Sequence, residues 1–172
     1  SAALRGRGRG GGDGVLSPGP LVLTITAWGT LAGVEALVRH GGRPGHALMV
    51  CGNVGRSLSG FNRWHRWLKS ENSLRSEIFE QPDVIAHLCP EPPLDAGPFA
   101  LERGASAGLD LSDGLVVDAR RLALASDVTL EIDLDLLPAD PVCEEMSADA
   151  RCAGGEDYGL LVLVPPEHVG TF

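Results

Sequence analysis

Two short acidic loops stand at the ends of the most regular apolar segments of the chain. The first, residues 109–115, reads Leu-Asp-Leu-Ser-Asp-Gly-Leu and leads into a helical pattern. The second, residues 154–158, reads Gly-Gly-Glu-Asp-Tyr and leads into an apolar run. Carboxylates repel phosphate, but a bridging Mg²⁺, which prefers oxygen ligands, makes such residues a phosphoryl-transfer site. The two loops together predict metal-dependent phosphate chemistry.

The first loop lies at a predicted strand-to-helix junction. Side chains alternate along a strand, so Ala107, Leu109 and Leu111 would share one face and Asp110 would lie on the other. Asp110 stands in an otherwise apolar segment, where its burial would be costly without a cation or hydrogen bonds. We therefore predict that a metal ion compensates Asp110.

A helix is expected to follow this junction and to run to about Ser126, because the apolar residues recur at helical spacing. Ser112 or Asp113 can cap its first turn. Such a cap stabilises a helix by about 1 kcal/mol without any ligand. A purely structural role for these acids is therefore the alternative to a metal site.

The second loop precedes residues 158–164, which are apolar enough to form a central strand. Glu156 and Asp157 would lie at the mouth of that strand, as expected of a binding site. Gly154 and Gly155 would allow the backbone to approach a ligand closely. A glycine-rich turn with solvated acids is the alternative.

The remaining pattern predicts further strands and helices. Residues 1–20 are rich in Gly and Arg without periodicity, which is typical of a flexible tail. The segments expected to be regular are a strand at residues 21–29, a short helix at 33–40, a strand at 47–51, a helical region at 57–79 and a helix beginning at 99–103.

Charge and composition exclude several classes of function. The net charge of −9, from 14 basic and 23 acidic side chains, argues against a nucleic-acid-binding surface. The cations near Trp64 and Trp67 therefore indicate an amphipathic helix rather than a base-stacking surface. No apolar run is long enough to span a membrane, and the four cysteines form no C-x-x-C pair. We expect a cytoplasmic protein with reduced thiols.

Three segments carry a resemblance to a known family. Residues 109–115 with Asp118 are similar to a D-I/L-S-D-G-L…D block, and residues 154–160 to a G-G-E/D-D-Y-E-L block. Residues 19–52 are similar to a strand, an R-x-G-x-x-P-G-D turn and a second strand. In these blocks the chain resembles the thiamine-monophosphate kinase family of the AIR-synthetase-like (PurM-like) superfamily.

The resemblance implies an α+β fold, the PurM-like carboxy-terminal domain, with a mixed sheet flanked by helices. Residues 1–35 would be a remnant of the amino-terminal ATP-binding domain, comprising the Gly/Arg-rich tail and its last strand. Residues 36–172 would be the carboxy-terminal domain, truncated at its end. An intact family member would form a homodimer, mainly through the amino-terminal domain.

The implied reaction is phosphoryl transfer from ATP to thiamine monophosphate, which gives ADP and thiamine diphosphate. It would proceed by direct in-line transfer assisted by Mg²⁺, with the protein supplying position and charge. The residues implied are Asp110, Asp113 and Asp13 for the metal; Ser112, Arg39, Gly12 and Asp13 for the nucleotide; and Glu156 and Asp157 for the thiamine substrate.

The chain departs from the family pattern at several positions. By the resemblance, most of the amino-terminal domain and the carboxy-terminal end, where the family has an aromatic residue that packs on thiamine, are expected to lie outside this sequence. His46 replaces a usual Asp, Cys51 a frequent Thr and Gly159 a usual Glu, and Cys89 lies near a usual Arg. We therefore expect this chain alone to be weakly active or inactive.

Two alternatives stay open. The chain could be a non-catalytic binding or assembly domain that keeps the fold while its acidic loops serve as helix caps. It could instead be another ATP-dependent enzyme of the superfamily, of the selenophosphate synthetase or AIR synthetase type.

Overall fold

The computed structural model describes residues 19–20, 24–31, 33, 35–70, 76–138 and 140–172. The chain divides into two compact units, Ser1–Val34 and Glu35–Phe172. All the strands and helices of the described residues lie in the second unit.

The second unit contains three strands and five α-helices among its described residues. The strands are β1 (Ala47–Cys51), β2 (Ala107–Leu111) and β3 (Gly159–Val164). The α-helices are α1 (Arg56–Leu68), α2 (Pro82–Leu88), α3 (Ala96–Glu102), α4 (Leu115–Ser126) and α5 (Ala148–Ala153). Short 3₁₀ helices occupy Ser76–Glu80, Leu134–Leu136, Pro141–Cys143 and Pro166–Thr171.

The three strands form one sheet in the order β1-β3-β2. Both pairs are antiparallel, with Met49 opposite Val162 and Leu109 opposite Leu161. The prediction of a central strand at residues 158–164 is therefore confirmed, because β3 is paired on both sides and mostly buried. The described strands contain no parallel pair of the kind that a mixed sheet requires.

Apolar layers cover both faces of the sheet. Leu161 and Leu163 of β3 face the larger core cluster, which includes Leu115 and Leu122 of α4. Val162 and Val164 face a second cluster, which includes Ala100 of α3. This alternation follows from the period of two along a strand. The predicted alternation of β2 and the apolar stripe of α4 are both confirmed by the larger cluster.

Helices α1 and α2 pack so closely that a glycine is required at their crossing. A Cβ atom at Gly60 would overlap the backbone carbonyl oxygen of Asp83. The Asp83 carboxylate is fully buried and accepts hydrogen bonds from Arg63 Nε (2.7 Å) and Ser59 Oγ (2.8 Å). Arg63 therefore compensates a buried acid.

The predicted helix at residues 33–40 is wrong for its described part, because residues 35–40 are not helical. The backbone carbonyl of Val38 accepts a hydrogen bond of 2.8 Å from the amide of Gly108. Leu37 packs against the second apolar cluster. Contacts with β2 therefore outweigh the weak local preference for a helix.

The predicted strand at residues 21–29 is not observed in its described part. Residues 24–29 have no strand structure, and the side chains of Ile25 and Trp28 are 92% and 95% exposed. A β-pattern forms a strand only when a neighbouring strand pairs with it and covers one face. Residues 21–23 lie outside the described residues.

Two helical predictions need smaller corrections. The region 57–79 is confirmed as α1 and the 3₁₀ helix Ser76–Glu80, while residues 71–75 lie outside the described part. Helix α3 begins at Ala96, three residues earlier than predicted, because Pro98 is tolerated in the first turn of a helix. None of the helices in the described ranges has the length and apolar character needed to cross a membrane.

The central position of β3 predicts a large cost for cavity formation there. We expect Leu161→Ala, at a fully buried side chain, to lower the free energy of unfolding by about 2–5 kcal/mol. Leu136→Ala, at a side chain 78% exposed, is the matched control and should change it by less than about 0.5 kcal/mol. Urea unfolding measures both, and equal losses would contradict the assignment of β3 to the core.

Candidate functional site

The structure brings the two acidic loops into direct contact. The backbone amide of Glu156 donates a hydrogen bond of 2.7 Å to the backbone carbonyl of Ser112. A Cβ atom at Gly155 would lie 2.8 Å from that carbonyl oxygen, closer than real Cβ atoms come. The two loops therefore form one unit at the end of the β2–β3 pair.

The glycines of the second loop have a different role from the predicted one. Gly154 was expected to admit a ligand, but a Cβ atom there would lie 2.8 Å from Cβ of Leu58 in α1. Gly155 likewise faces Ser112 and Asp113 of the first loop. The close approach that these glycines permit is to the protein itself.

Asp118 organises the first loop. Its fully buried carboxylate accepts hydrogen bonds from the backbone amides of Ser112 (3.0 Å) and Asp113 (2.8 Å). Arg121 Nη1 donates to the other Asp118 oxygen at 2.8 Å. The predicted cap is therefore wrong: the N-cap residue of α4 is Gly114, and no side chain caps it. The acid lies inside the helix and bonds back to the loop.

Asp113 is paired with a cation. Its carboxylate forms an ion pair with Arg121, and its side chain is 52% exposed. Arg121 thus contacts both Asp113 and the buried Asp118. The guanidinium holds Asp113 at the surface of the loop, where a stronger cation could compete for it.

Asp110 is exposed, so the argument from its burial is wrong. It lies on the face of β2 opposite the larger core cluster, as the alternation predicted, but that face is open to solvent at this position. Asp110 lines a cleft of about 510 Å³ together with Arg39, Gly108 and Leu160. The structure therefore brings together one predicted metal ligand and one predicted phosphate-binding residue.

Asp157 caps helix α1 from a distant part of the sequence. Its carboxylate accepts hydrogen bonds from the backbone amides of Gly55 (2.6 Å) and Ser57 (2.9 Å). Burial raises the pKa of Asp157, although these backbone hydrogen bonds oppose the shift. This predicted substrate-binding residue thus has a structural role as well.

The backbone around Asp157 is held in an unusual conformation. Its neighbours Glu156 and Tyr158 both have positive φ angles, of 66° and 51°. A non-glycine residue in this region costs roughly 1–2 kcal/mol. Such strain persists only where surrounding contacts impose it, and here the bonds to Ser112, Gly55 and Ser57 do so.

A second cleft lies beside Asp157. Its volume is about 290 Å³, and its polar lining includes Asn53, Arg56, Glu91 and Cys89. Arg56 also binds Asp140 through two hydrogen bonds, of 2.8 and 3.1 Å. The Arg56 guanidinium lowers the pKa of Asp140.

The described residues would suit a magnesium ion shared with phosphate groups rather than one enclosed by protein. No group of three or more His, Cys, Asp or Glu residues in the described part of the chain could hold a metal ion. Mg²⁺ usually takes only one or two carboxylates and completes its shell with phosphates and water. Asp110 and Asp113 are two exposed carboxylates of the first acidic loop and would supply that number. Gly12 and Asp13 lie outside the described residues.

The local structure accounts for two of the departures from the family pattern. His46 Nδ1 lies 2.8 Å from Ser106 Oγ, so the imidazole has a hydrogen-bonding partner. A Cβ atom at Gly159 would lie 2.7 Å from the backbone carbonyl oxygen of Cys51. In this chain the backbones of β1 and β3 therefore leave room only for glycine at residue 159.

The capping of α1 by the Asp157 carboxylate predicts a specific loss of stability. Asp157→Ala removes the acceptor for two amides of α1 and should lower the free energy of unfolding by about 0.5–2 kcal/mol. Asp95→Ala is the matched control, because Asp95 is the N-cap residue of α3 but its side chain makes no capping bond. Denaturant unfolding in which both variants behave alike would contradict the capping role.

The ion pair of Asp140 predicts a dependence of stability on pH. The lowered pKa of folded Asp140 means that the unfolded chain binds its proton more tightly. Its contribution is therefore present above the unfolded value of about 3.9 and is lost as the pH falls toward the folded pKa. Asp140→Asn should make the loss of stability below about pH 4 shallower. An unchanged slope in thermal melts from pH 3 to 6 would contradict this.

Comparison with known proteins places the chain in a family. Residues 43–172 match the family described as AIR synthase related protein, C-terminal domain. The chain is 34% identical over 174 residues to the thiamine-monophosphate kinase of Mycobacterium tuberculosis (strain CDC 1551 / Oshkosh). That match covers 96% of this chain and 49% of the relative, so the chain spans about half the length of the curated relatives it matches.

Solved structures give the same result. The thiamine-monophosphate kinase from Stenotrophomonas maltophilia K279a is 25% identical with a TM-score of 0.69, covering 81% of this chain and 45% of that one. AaThiL complexed with AMPPCP and TMP is 33% identical with a TM-score of 0.65, covering 77% of this chain and 43% of that one. The matched family and the observed α+β architecture agree: the chain belongs to the AIR synthase related (PurM-like) proteins, and residues 43–172 are their C-terminal domain.

Proposed function

We propose that this chain supplies the carboxy-terminal domain of a thiamine-monophosphate kinase, which transfers a phosphoryl group from ATP to thiamine monophosphate. The observation that carries the proposal is the joining of the two acidic loops at one end of the β2–β3 pair. The names of the relatives support it, as does the AaThiL complex, since AMPPCP is an analogue of ATP.

The cleft beside β2 is the nucleotide side of the proposed site. Arg39 and Asp110 both line it, so a cation and a carboxylate face the same space of about 510 Å³. Arg39 would bind phosphate oxygens, and Ser112 would contact the phosphate chain from the neighbouring loop. Gly12 and Asp13 stay predicted nucleotide-binding residues on the resemblance alone.

Asp110 and Asp113 are the proposed ligands of Mg²⁺, and Asp13 stays a predicted metal ligand on the resemblance alone. Bound Mg²⁺ would neutralise crowded phosphates and so reduce the repulsion between the two substrates. Asp113 must exchange its ion pair with Arg121 for the metal. Arg121 would keep a partner in that exchange, because Asp118 also binds it.

The cleft beside Asp157 is the proposed thiamine side. A volume of about 290 Å³ is at the small end of ligand pockets. Thiamine monophosphate carries a cationic thiazolium ring, and the acids Glu156, Asp157 and Glu91 lie in or next to this region. A metal ion and a thiazolium ring are both positively charged, so an acidic surface favours the binding of both.

The proposed reaction is a direct in-line transfer. A terminal phosphate oxygen of thiamine monophosphate forms a bond to the γ-phosphorus of ATP, and the bond from that phosphorus to the β–γ bridging oxygen breaks. ADP leaves with the bonding electron pair. The protein contributes position and charge rather than a covalent intermediate. Homodimer formation and a cytoplasmic location stay predictions.

One observation favours a second candidate, the non-catalytic binding domain. Asp157 already caps α1, and Asp113 is already paired with Arg121. Acids with such partners can serve stability alone. The two candidates differ in their need for a ligand, because the non-catalytic domain predicts no nucleotide-dependent affinity for Mg²⁺.

Calorimetric titration with Mg-ATP tests the proposed metal ligands. We expect Asp110→Asn and Asp113→Asn each to weaken binding by about tenfold or more, since each removes one of the few protein ligands. Asp135→Asn is the control, because Asp135 is an exposed acid of the 3₁₀ helix Leu134–Leu136 and lines neither proposed cleft. Unchanged binding in both Asp110→Asn and Asp113→Asn would refute the metal assignment and favour the non-catalytic domain.

A further inference from the structure

His87 contacts the proposed substrate-binding loop from a position that neither the sequence patterns nor the family motifs indicated. It lies in the last turn of α2, and its side chain is only 12% exposed. The rings of Phe61 and Trp64 in α1 pack around the imidazole, with centroids 5.4 and 6.1 Å away. The imidazole is therefore held in place from the α1 side.

One ring nitrogen of His87 faces two polar groups. Nδ1 lies 2.9 Å from Ser57 Oγ and 3.4 Å from Glu156 Oε2. The Glu156 side chain is 59% exposed, and among the described residues its carboxylate has an ion pair with His87 alone. The direction of the Glu156 carboxylate thus depends on His87.

Ser57 links this contact to Asp157. Its backbone amide donates to the Asp157 carboxylate, and its hydroxyl contacts His87. Ser57 is almost completely buried. The two acids proposed to face the substrate are therefore both fixed through one residue at the start of α1, Asp157 directly and Glu156 by way of His87.

The proton on the ring determines what His87 does. With hydrogen on Nδ1, the imidazole donates to Ser57 Oγ and attracts the Glu156 carboxylate. With hydrogen on Nε2 alone, the single lone pair of Nδ1 accepts the Ser57 hydroxyl hydrogen, and the ring has no donor for Glu156 at this nitrogen. Only a ring that carries hydrogen on Nδ1 therefore holds the carboxylate toward α2.

We propose that His87 is a positioning residue that orients the Glu156 carboxylate for the cationic ring of thiamine monophosphate. This inference rests on the proposed function. The contacts at Nδ1 and the tight packing of the imidazole against α1 carry it.

Matched variants separate a positioning role from a merely structural one. His87→Asn places an amide NH₂ near the position of Nδ1, whereas His87→Leu fills a similar volume without a donor. We expect His87→Leu to weaken thiamine monophosphate binding by about fivefold or more, and His87→Asn to stay within about twofold of the unchanged chain. Calorimetry on the full chain measures both, and equal losses in the two variants would overturn the proposal.

A double-mutant cycle tests whether His87 acts through Glu156. In a chain carrying Glu156→Gln, which removes the charge, His87→Leu should cause little further loss of binding. An equal loss with and without Glu156→Gln would mean that His87 acts independently of Glu156, which overturns the proposal.

The four proteins of this double-mutant cycle, which are the unchanged chain, His87→Leu, Glu156→Gln and the double variant, distinguish failure of this inference from failure of the proposed function. If the unchanged chain does not bind thiamine monophosphate, the proposed function fails. The coupling free energy between His87→Leu and Glu156→Gln in urea unfolding then shows whether the two side chains interact. Non-additive effects on stability support the orientation of Glu156 by His87, and additive effects overturn it.

Discussion

The hydrogen bonds between the Asp157 carboxylate and the amides of Gly55 and Ser57 join the sheet to the pair of helices α1 and α2. They connect the loop that leads into the central strand with the first turn of α1. Helix α1 in turn packs on α2 through the close crossing at Gly60. The position of the α1–α2 pair relative to the sheet therefore depends on an acid about 100 residues away along the chain.

The acids of both loops are compensated mainly by the protein itself. Asp118 accepts two loop amides and binds Arg121, and Arg121 extends to Asp113. Asp157 uses amides alone for this purpose. Asp110 differs from these residues, because it is exposed in a cleft with Arg39. The loops can thus keep their shape without a ligand, while Asp110 and the half-exposed Asp113 remain open to solvent.

The parts of the fold that were predictable are those dictated by local pattern. The alternation of β2, the apolar run of β3 and the stripe of α4 each reflect contact with one continuous core. The predictions of a helix at residues 33–40 and of a strand at residues 21–29 failed in their described parts, because the structure there depends on pairing with other segments. Asp118 could have been recognised as unusual, since it is an acid on the buried face of an otherwise apolar helix.

The candidate site was predictable in its location but not in the roles of its residues. The two motifs correctly indicated loops that meet, and Asp110 and Arg39 do line one cleft. The capping role of Asp157, the pairing of Asp113 and the contact of His87 with Glu156 all involve partners that no sequence spacing reveals. Gly154 and Gly155 are likewise required by close packing within the protein, whereas the sequence pattern predicted that they allow a ligand to approach.

The central claim is that the joined loops form one site for both a metal-bound nucleotide and thiamine monophosphate. The most direct test is the affinity of the folded chain for thiamine monophosphate, measured by calorimetry with and without Mg-AMPPCP. The account predicts binding that becomes tighter when Mg-AMPPCP is present, because Mg²⁺ held with the nucleotide would also attract the phosphate of thiamine monophosphate. No binding in either condition by a demonstrably folded chain would contradict it.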